Sequence, residues 1–243
     1  DNCLQLTRVE FSGNSQLKTI GKYAFSYSTL KEILIPSHVT LIDEGAFYSC
    51  LCLEKVEFPP DSELEAIENY AFNSTSITNF VIPARVTQIK EDVFSLCNHL
   101  KKVESLPNSR LQSIGYKAFP LILDYFSIPS SIVKLGFNFC NGMNKFEIIE
   151  NGQHNLMNYE NDFILGKTHL DQEEFDVIVY ARKNITDVKI PSFIREISRF
   201  AFAYCKNIKS IEFPSDSKLQ VIGKYAFESS SIEKFVIPAT VAQ

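Results

Sequence analysis

A stacked repeat solenoid, built mostly of short strands and turns, is the fold class this sequence predicts, on three observations. The pair Ala24-Phe25 returns as Ala46-Phe47, Ala71-Phe72, Val93-Phe94, Ala118-Phe119, Ala201-Phe202 and Ala226-Phe227. The first five copies are spaced 22, 25, 22 and 25 residues apart, so a double period of 47 overlies the single one. Each unit also carries apolar residues at alternate positions, commonly closed by a proline, as in Ile33-x-Ile35-Pro36. A fixed period of about 20–50 residues marks stacked coils, alternation marks a half-buried strand, and proline, which cannot donate to a ladder, ends it.

In order, the first unit reads Leu6-x-x-Val9-x-Phe11, Leu17-x-x-Ile20, Ala24-Phe25, and the second Leu30-x-x-Ile33-x-Ile35-Pro36, Val39-x-x-Ile42, Ala46-Phe47. The third, Leu53-x-x-Val56-x-Phe58-Pro59, and the fourth, Ile77-x-x-Phe80-x-Ile82-Pro83, repeat the scheme. The fifth runs from Leu100-x-x-Val103 to Ala118-Phe119, and the sixth is looser, with Phe139-Cys140 where Ala-Phe is due. Long units carry a turn-rich insert after the strand, such as Ser12-Gly13-Asn14-Ser15 or Pro107-Asn108-Ser109. From 150 to 184 the pattern breaks. The polar run Asn151 to Asn155 precedes two β-prone runs, Phe163-Ile164-Leu165 and Val177-Ile178-Val179-Tyr180, which predicts a hairpin-like insertion. Regular units resume at Ile185 and reach Ile232-x-x-Phe235-x-Ile237-Pro238.

The whole of 1–243 thus reads as one solenoid of nine to ten units. No unit closes a core alone, so each Leu, Ile and Phe is buried only by its equivalents in the next coil. A stack needs polar caps, and neither terminal stretch resembles one, which predicts a fragment truncated at both ends, with strand edges that invite self-association.

A net charge of −5 argues against nucleic acid or an anionic membrane as partner, since both select clustered positive charge. No apolar run is long enough to span a bilayer. Six cysteines raise the question of disulfides, but Cys3, Cys50 and Cys97 recur at 47 residues, two coils apart. That places them about 10 Å from one another in a stack, too far to bridge. They read as a column of buried thiols.

With Leu-x-x-Ile-x-Ile-Pro-x-x-Val-x-x-Ile-x-x-x-Ala-Phe assembled from Leu30 to Phe47, the chain resembles the BspA-like leucine-rich repeats of bacterial and protozoan surface proteins. The resemblance implies a curved, right-handed solenoid, mostly β with short turns and 3-10 segments, and a parallel sheet on the concave face. It also implies surface-exposed proteins concerned with adhesion and host interaction rather than catalysis.

If Ile33 and Ile35 point inward, Glu32 and Leu34 point outward. The same two places along the chain are Arg8 and Glu10, Lys55 and Glu57, Asn79 and Val81, Lys102 and Glu104, and Tyr125 and Ser127. After the irregular unit come Asp187 and Lys189, Ser210 and Glu212, and Lys234 and Val236. From Glu10 through Leu34, Glu57, Val81 and Glu104, and again at Glu212 and Val236, the second column alternates acid with apolar residues, which keeps like charges about 10 Å apart. These positions form a candidate protein-binding surface, or an ordinary solvated sheet face.

Catalytic chemistry has little to rest on. His38, His99, His154 and His169 occupy unrelated repeat positions, the two Gly-Lys pairs lack the glycines of a phosphate loop, and no nucleophilic triad or cofactor motif stands out. Asn73 and Asn184 head glycosylation sequons. The functional expectation is a non-enzymatic binding module, cell-surface or secreted, for a protein partner; the alternative is an intracellular scaffold of the same fold.

Overall fold

Two sets of parallel strands run along a solenoid of nine coils, counted among the described residues of this computed structural model: 3–120, 123–136, 138–140, 142–152 and 154–242. The first set forms the concave face, where Glu32–Leu34 pairs with Lys55–Glu57. Asn79–Ile82, Lys102–Ser105, Leu123–Pro129 and Met143–Ile149 form a four-stranded sheet, and Asp187–Lys189 pairs with Ser210–Glu212. The second set is narrower. Thr19–Ile20, Leu41–Ile42, Ala66–Ile67, Gln88–Ile89, Ser113–Ile114 and Lys134–Leu135 make one six-stranded ladder of two-residue strands. Among the described residues there is no helix, and turns connect the strands.

Alternation does the sorting. In the second coil Ile33 and Ile35 are buried while Glu32 and Leu34 are exposed, and Leu30, Val39, Ile42 and Phe47 close the interior. The Ala-Phe turn is a hydrogen-bonded ladder of its own, although no strand runs through it. Phe25, Phe47, Phe72 and Phe94 each donate their backbone N–H to the carbonyl of the residue preceding the next phenylalanine, at 2.7 to 3.0 Å. The rings stack in register: Phe47 lies 5.2 Å from Phe72, with planes 5° apart. A left-handed residue precedes each Ala-Phe pair, among them Tyr23, Gly45, Tyr70, Asp92 and Tyr225, and swings the Phe into the core. At Gly45 a side chain would meet the Tyr23 ring at 2.2 Å; the other coils hold tyrosine or aspartate at the same φ, so it is the Tyr23 ring, not the backbone angle, that favours glycine here.

The cysteines follow the repeat. Cys50 and Cys97 are fully buried, and their thiols donate to the carbonyls of Phe25 and Phe72 at 2.9 and 3.0 Å. Ser28 and Thr75 fill the intervening places beside them, at 3.3 and 3.2 Å from the sulfurs. All six cysteines are free.

Among its described residues the irregular stretch contains three strands. Met157–Tyr159 and Phe163–Gly166 form one antiparallel pair, and Phe163–Gly166 pairs antiparallel with Val177–Ala181. Val177 and Ile178 then align in parallel with Glu196 and Ile197, so the second ladder restarts here and continues to Val221–Ile222. Phe163–Gly166 is buried on both faces. Ile164 belongs to the core of the first half, whereas Phe163 and Leu165 belong to that of the second. The inserted hairpin is therefore a wall between two cores. Tyr180 and Phe139, 5.8 Å apart, fill the gap in the Phe column.

The polar run from Asn151 does more than turn the chain. Asn151 donates to the Ser109 carbonyl and Ser131 hydroxyl at 2.8 and 2.7 Å, and Asn155 donates to the Ser131 carbonyl at 3.1 Å. These bonds satisfy serines buried at the ends of neighbouring coils. Gln153, within the same run, lies outside the described residues.

Candidate functional site

Strand alternation places Glu32, Leu34, Lys55, Glu57, Asn79, Val81 and Lys102 on the solvent side of the concave ladder, with Glu104 half-buried. In register, Glu32 faces Lys55, Leu34 faces Glu57, Asn79 faces Lys102 and Val81 faces Glu104. Lys55 reaches Glu57 at 2.7 Å and Lys102 reaches Glu104 at 2.8 Å, each two residues along its own strand. The hydrogen bond that Lys55 donates to the Glu57 carboxylate raises the Lys55 pKa. Exposed pairs of this kind contribute about 0–1 kcal/mol, so they organise charge more than they hold the fold.

Tyr125 is the node of the sheet. Its hydroxyl donates to Glu147 at 2.7 Å, and the ammonium groups of Lys102 and Lys145 lie 5.6 and 5.8 Å from its ring centroid. Burial and the neighbouring Glu147 carboxylate push its phenol up to about 12. Lys145 and Glu147 are exposed members of the same two columns that sequence reading passed over. The signal was present as alternation about Phe146, but it adjoins the break in the repeat.

Three placements differ from expectation. Ser127 is buried, not outward, and its hydroxyl accepts from the Ser105 N–H at 2.8 Å. Arg8 and Glu10 form an ion pair with each other, but in a segment assigned to no strand. Lys234 and Val236 also lie outside any strand, because the backbone after Ser231 does not pair with Ser210–Glu212. On the remaining pair of strands Asp187 accepts from the Ser210 hydroxyl at 3.0 Å, and Lys189 lies 3.8 Å from Glu212.

The concave face opens between Lys55–Glu57 and Asn79–Ile82, which are adjacent coils but do not form a continuous ladder. A groove of about 760 Å³ occupies this place, lined by Phe58, Pro59, Val81, Pro83 and Leu106 with Lys55 and Glu57. Val81 and Leu106 are exposed there, and Leu34 adjoins it on the neighbouring strand. Of the two sequons, Asn73 is buried and donates to the Asp92 carbonyl, so only Asn184 presents its amide to solvent. His154 pairs with Glu150 at 2.8 Å and His38 lies 3.4 Å from Glu63. Among the described residues no three metal-ligating side chains converge.

Comparison with known proteins finds the same architecture. The pneumococcal vaccine antigen PcpA superposes with a TM-score of 0.79 at 22% identity, over 93% of this chain and 57% of that one. A leucine-rich repeat protein of Bacteroides ovatus gives 0.64 at 23% identity over 98% of this chain and 56% of that one. A leucine rich cell surface protein of Faecalibacterium prausnitzii gives 0.59 at 21% identity, over 90% and 65%. The chain thus spans just over half to about two thirds of the length of these structures. No curated protein sequence matches it. The family description "BspA type Leucine rich repeat region" matches in six copies over residues 1–65, 65–172 and 173–243. The chain belongs to the BspA-type leucine-rich repeat family.

Proposed function

We propose that this chain is the protein-binding portion of a cell-surface or secreted protein, acting in adhesion or host interaction without catalysis. The observation that carries the reading is the concave ladder itself. Exposed Leu34 and Val81 interrupt a lattice of Lys and Glu side chains beside the groove at Phe58 and Leu106. An apolar depression rimmed by paired charges suits a protein partner: the apolar floor supplies affinity and the rim supplies register. Two structural neighbours, one described as a vaccine antigen and one as a cell surface protein, favour the surface location.

The test is binding of the purified chain to an array of extracellular-matrix and epithelial surface proteins, repeated with Val81→Lys and with the double reversal Glu57→Lys, Glu104→Lys. A partner bound through this face should be lost by about tenfold or more, the effect expected when charge is set against a desolvated contact. Undiminished binding by both variants would exclude the concave face.

A further inference from the structure

The place where the second ladder is interrupted is also a cleft. Lys134–Leu135 ends the six-stranded part, and the next parallel strands belong to the unit holding the hairpin. Between them lies a cavity of about 430 Å³, within the range of small-molecule sites. Its walls bring together Lys134, Lys167, Lys183 and Arg199 against one carboxylate, Glu196. Four basic residues lining one cleft, in a chain of net charge −5, run against the composition of the whole molecule, although the Lys167 ammonium also lies over the Phe175 ring and the Arg199 guanidinium over Phe200 and Tyr225.

Lys183 is the decisive member. Its ammonium donates to the Ala201 carbonyl at 3.3 Å and sits 4.4 Å over the Tyr180 ring. Among the described residues no carboxylate pairs with it, nor with Lys134 or Lys167. A cation partly withdrawn from water without a counter-charge is destabilised; Lys183 is half-buried, and that burial lowers its pKa. Glu196 already accepts from the Ser198 hydroxyl at 3.4 Å. Leu170, Val133 and Val179 supply an apolar wall.

We propose that this cleft binds a small polyanion, a compact molecule bearing phosphate or carboxylate groups, with the half-buried Lys183 as counter-ion and Lys134, Lys167 and Arg199 around it. The inference does not rest on the concave-face reading, because different residues line the two sites.

Isothermal titration calorimetry of the 243-residue chain in low-salt buffer, with sodium pyrophosphate and sodium citrate as probes, tests it. Saturable one-to-one binding of either probe is expected, weakened about tenfold by Lys183→Met and by Lys134→Gln, as for loss of one charge-assisted hydrogen bond. Lys134 is exposed, so its variant leaves the fold intact even if Lys183→Met unfolds. The exposed Lys31→Gln, in the second coil, should bind as the parent does. Binding of pyrophosphate alone assigns phosphate, and of citrate alone, carboxylate. No saturable binding of either probe, or equal weakening by Lys31→Gln, would overturn the proposal.

Discussion

Phe72 lies face to face with Phe94, their centroids 5.5 Å apart and their planes 7° from parallel. The contact joins two coils whose Ala-Phe turns are also hydrogen-bonded, Phe72 N–H to Val93 O at 3.0 Å. Stacking and backbone pairing therefore act on the same few atoms in every coil, which is why the pair recurs where other positions vary between units.

Phe72→Ala should destabilise the chain by about 3–5 kcal/mol, the usual range for emptying a fully buried aromatic site. Phe72 also packs on Phe47 and Phe80, so three neighbours border the void. Phe72→Leu, which keeps much of the volume, should cost clearly less. Urea unfolding followed by circular dichroism reads both, and equal losses would show that ring stacking, not volume, dominates.

Gly115→Ala is expected to force two coils apart. A methyl there would stand 2.5 Å from the Lys90 carbonyl carbon and 2.7 Å from the Glu91 nitrogen, both backbone atoms that cannot rotate away. A loss of about 1–3 kcal/mol follows from overpacking of this kind. Gly13→Ala meets nothing within 4 Å and should leave thermal stability near the parent's. A melt in which the two variants behaved alike would refute this backbone-contact argument.

Alkaline pH should weaken the fold through the thiol column. Burial pushes the Cys97 thiol up to about 11 and the Cys140 thiol to about 12, whereas an unfolded thiol titrates near 9. Both pKa values are raised on folding, so the stability they contribute is complete below about pH 9 and is lost as pH climbs toward the folded values. Over that window each thiol should lower stability by about 1.4 kcal/mol per pH unit. Lys183, whose pKa burial lowers, acts in the opposite sense up to its ordinary value near 10.5. Urea midpoints measured from pH 8 upward in the parent and Cys97→Ala isolate the effect: the variant's curve should be shallower by one thiol. Parallel curves would show that the Cys97 thiol does not resist ionisation.

Much of the solenoid was legible in the amino-acid sequence. Period, strand alternation and the Phe column are local patterns, and stacking identical units leaves one geometry that buries them all. The outward residues of the central concave strands followed from the same alternation, since a strand with Ile33 inside must turn Glu32 and Leu34 out. The two-residue strands of the second ladder were invisible as strands because Leu41-Ile42 is too short to show a period.

What the tertiary structure alone decided is how the coils meet. Residues distant in sequence open the groove between Glu57 and Val81, bury Ser127 against Ser105, and turn Phe163–Gly166 into a wall with a core on each side. The cleft around Lys183 arises in the same way, from segments near 134, 167, 183 and 199. Periodicity reports what one coil repeats. It carries no record of where the pairing between coils stops, and those interruptions are where the groove and the cleft open.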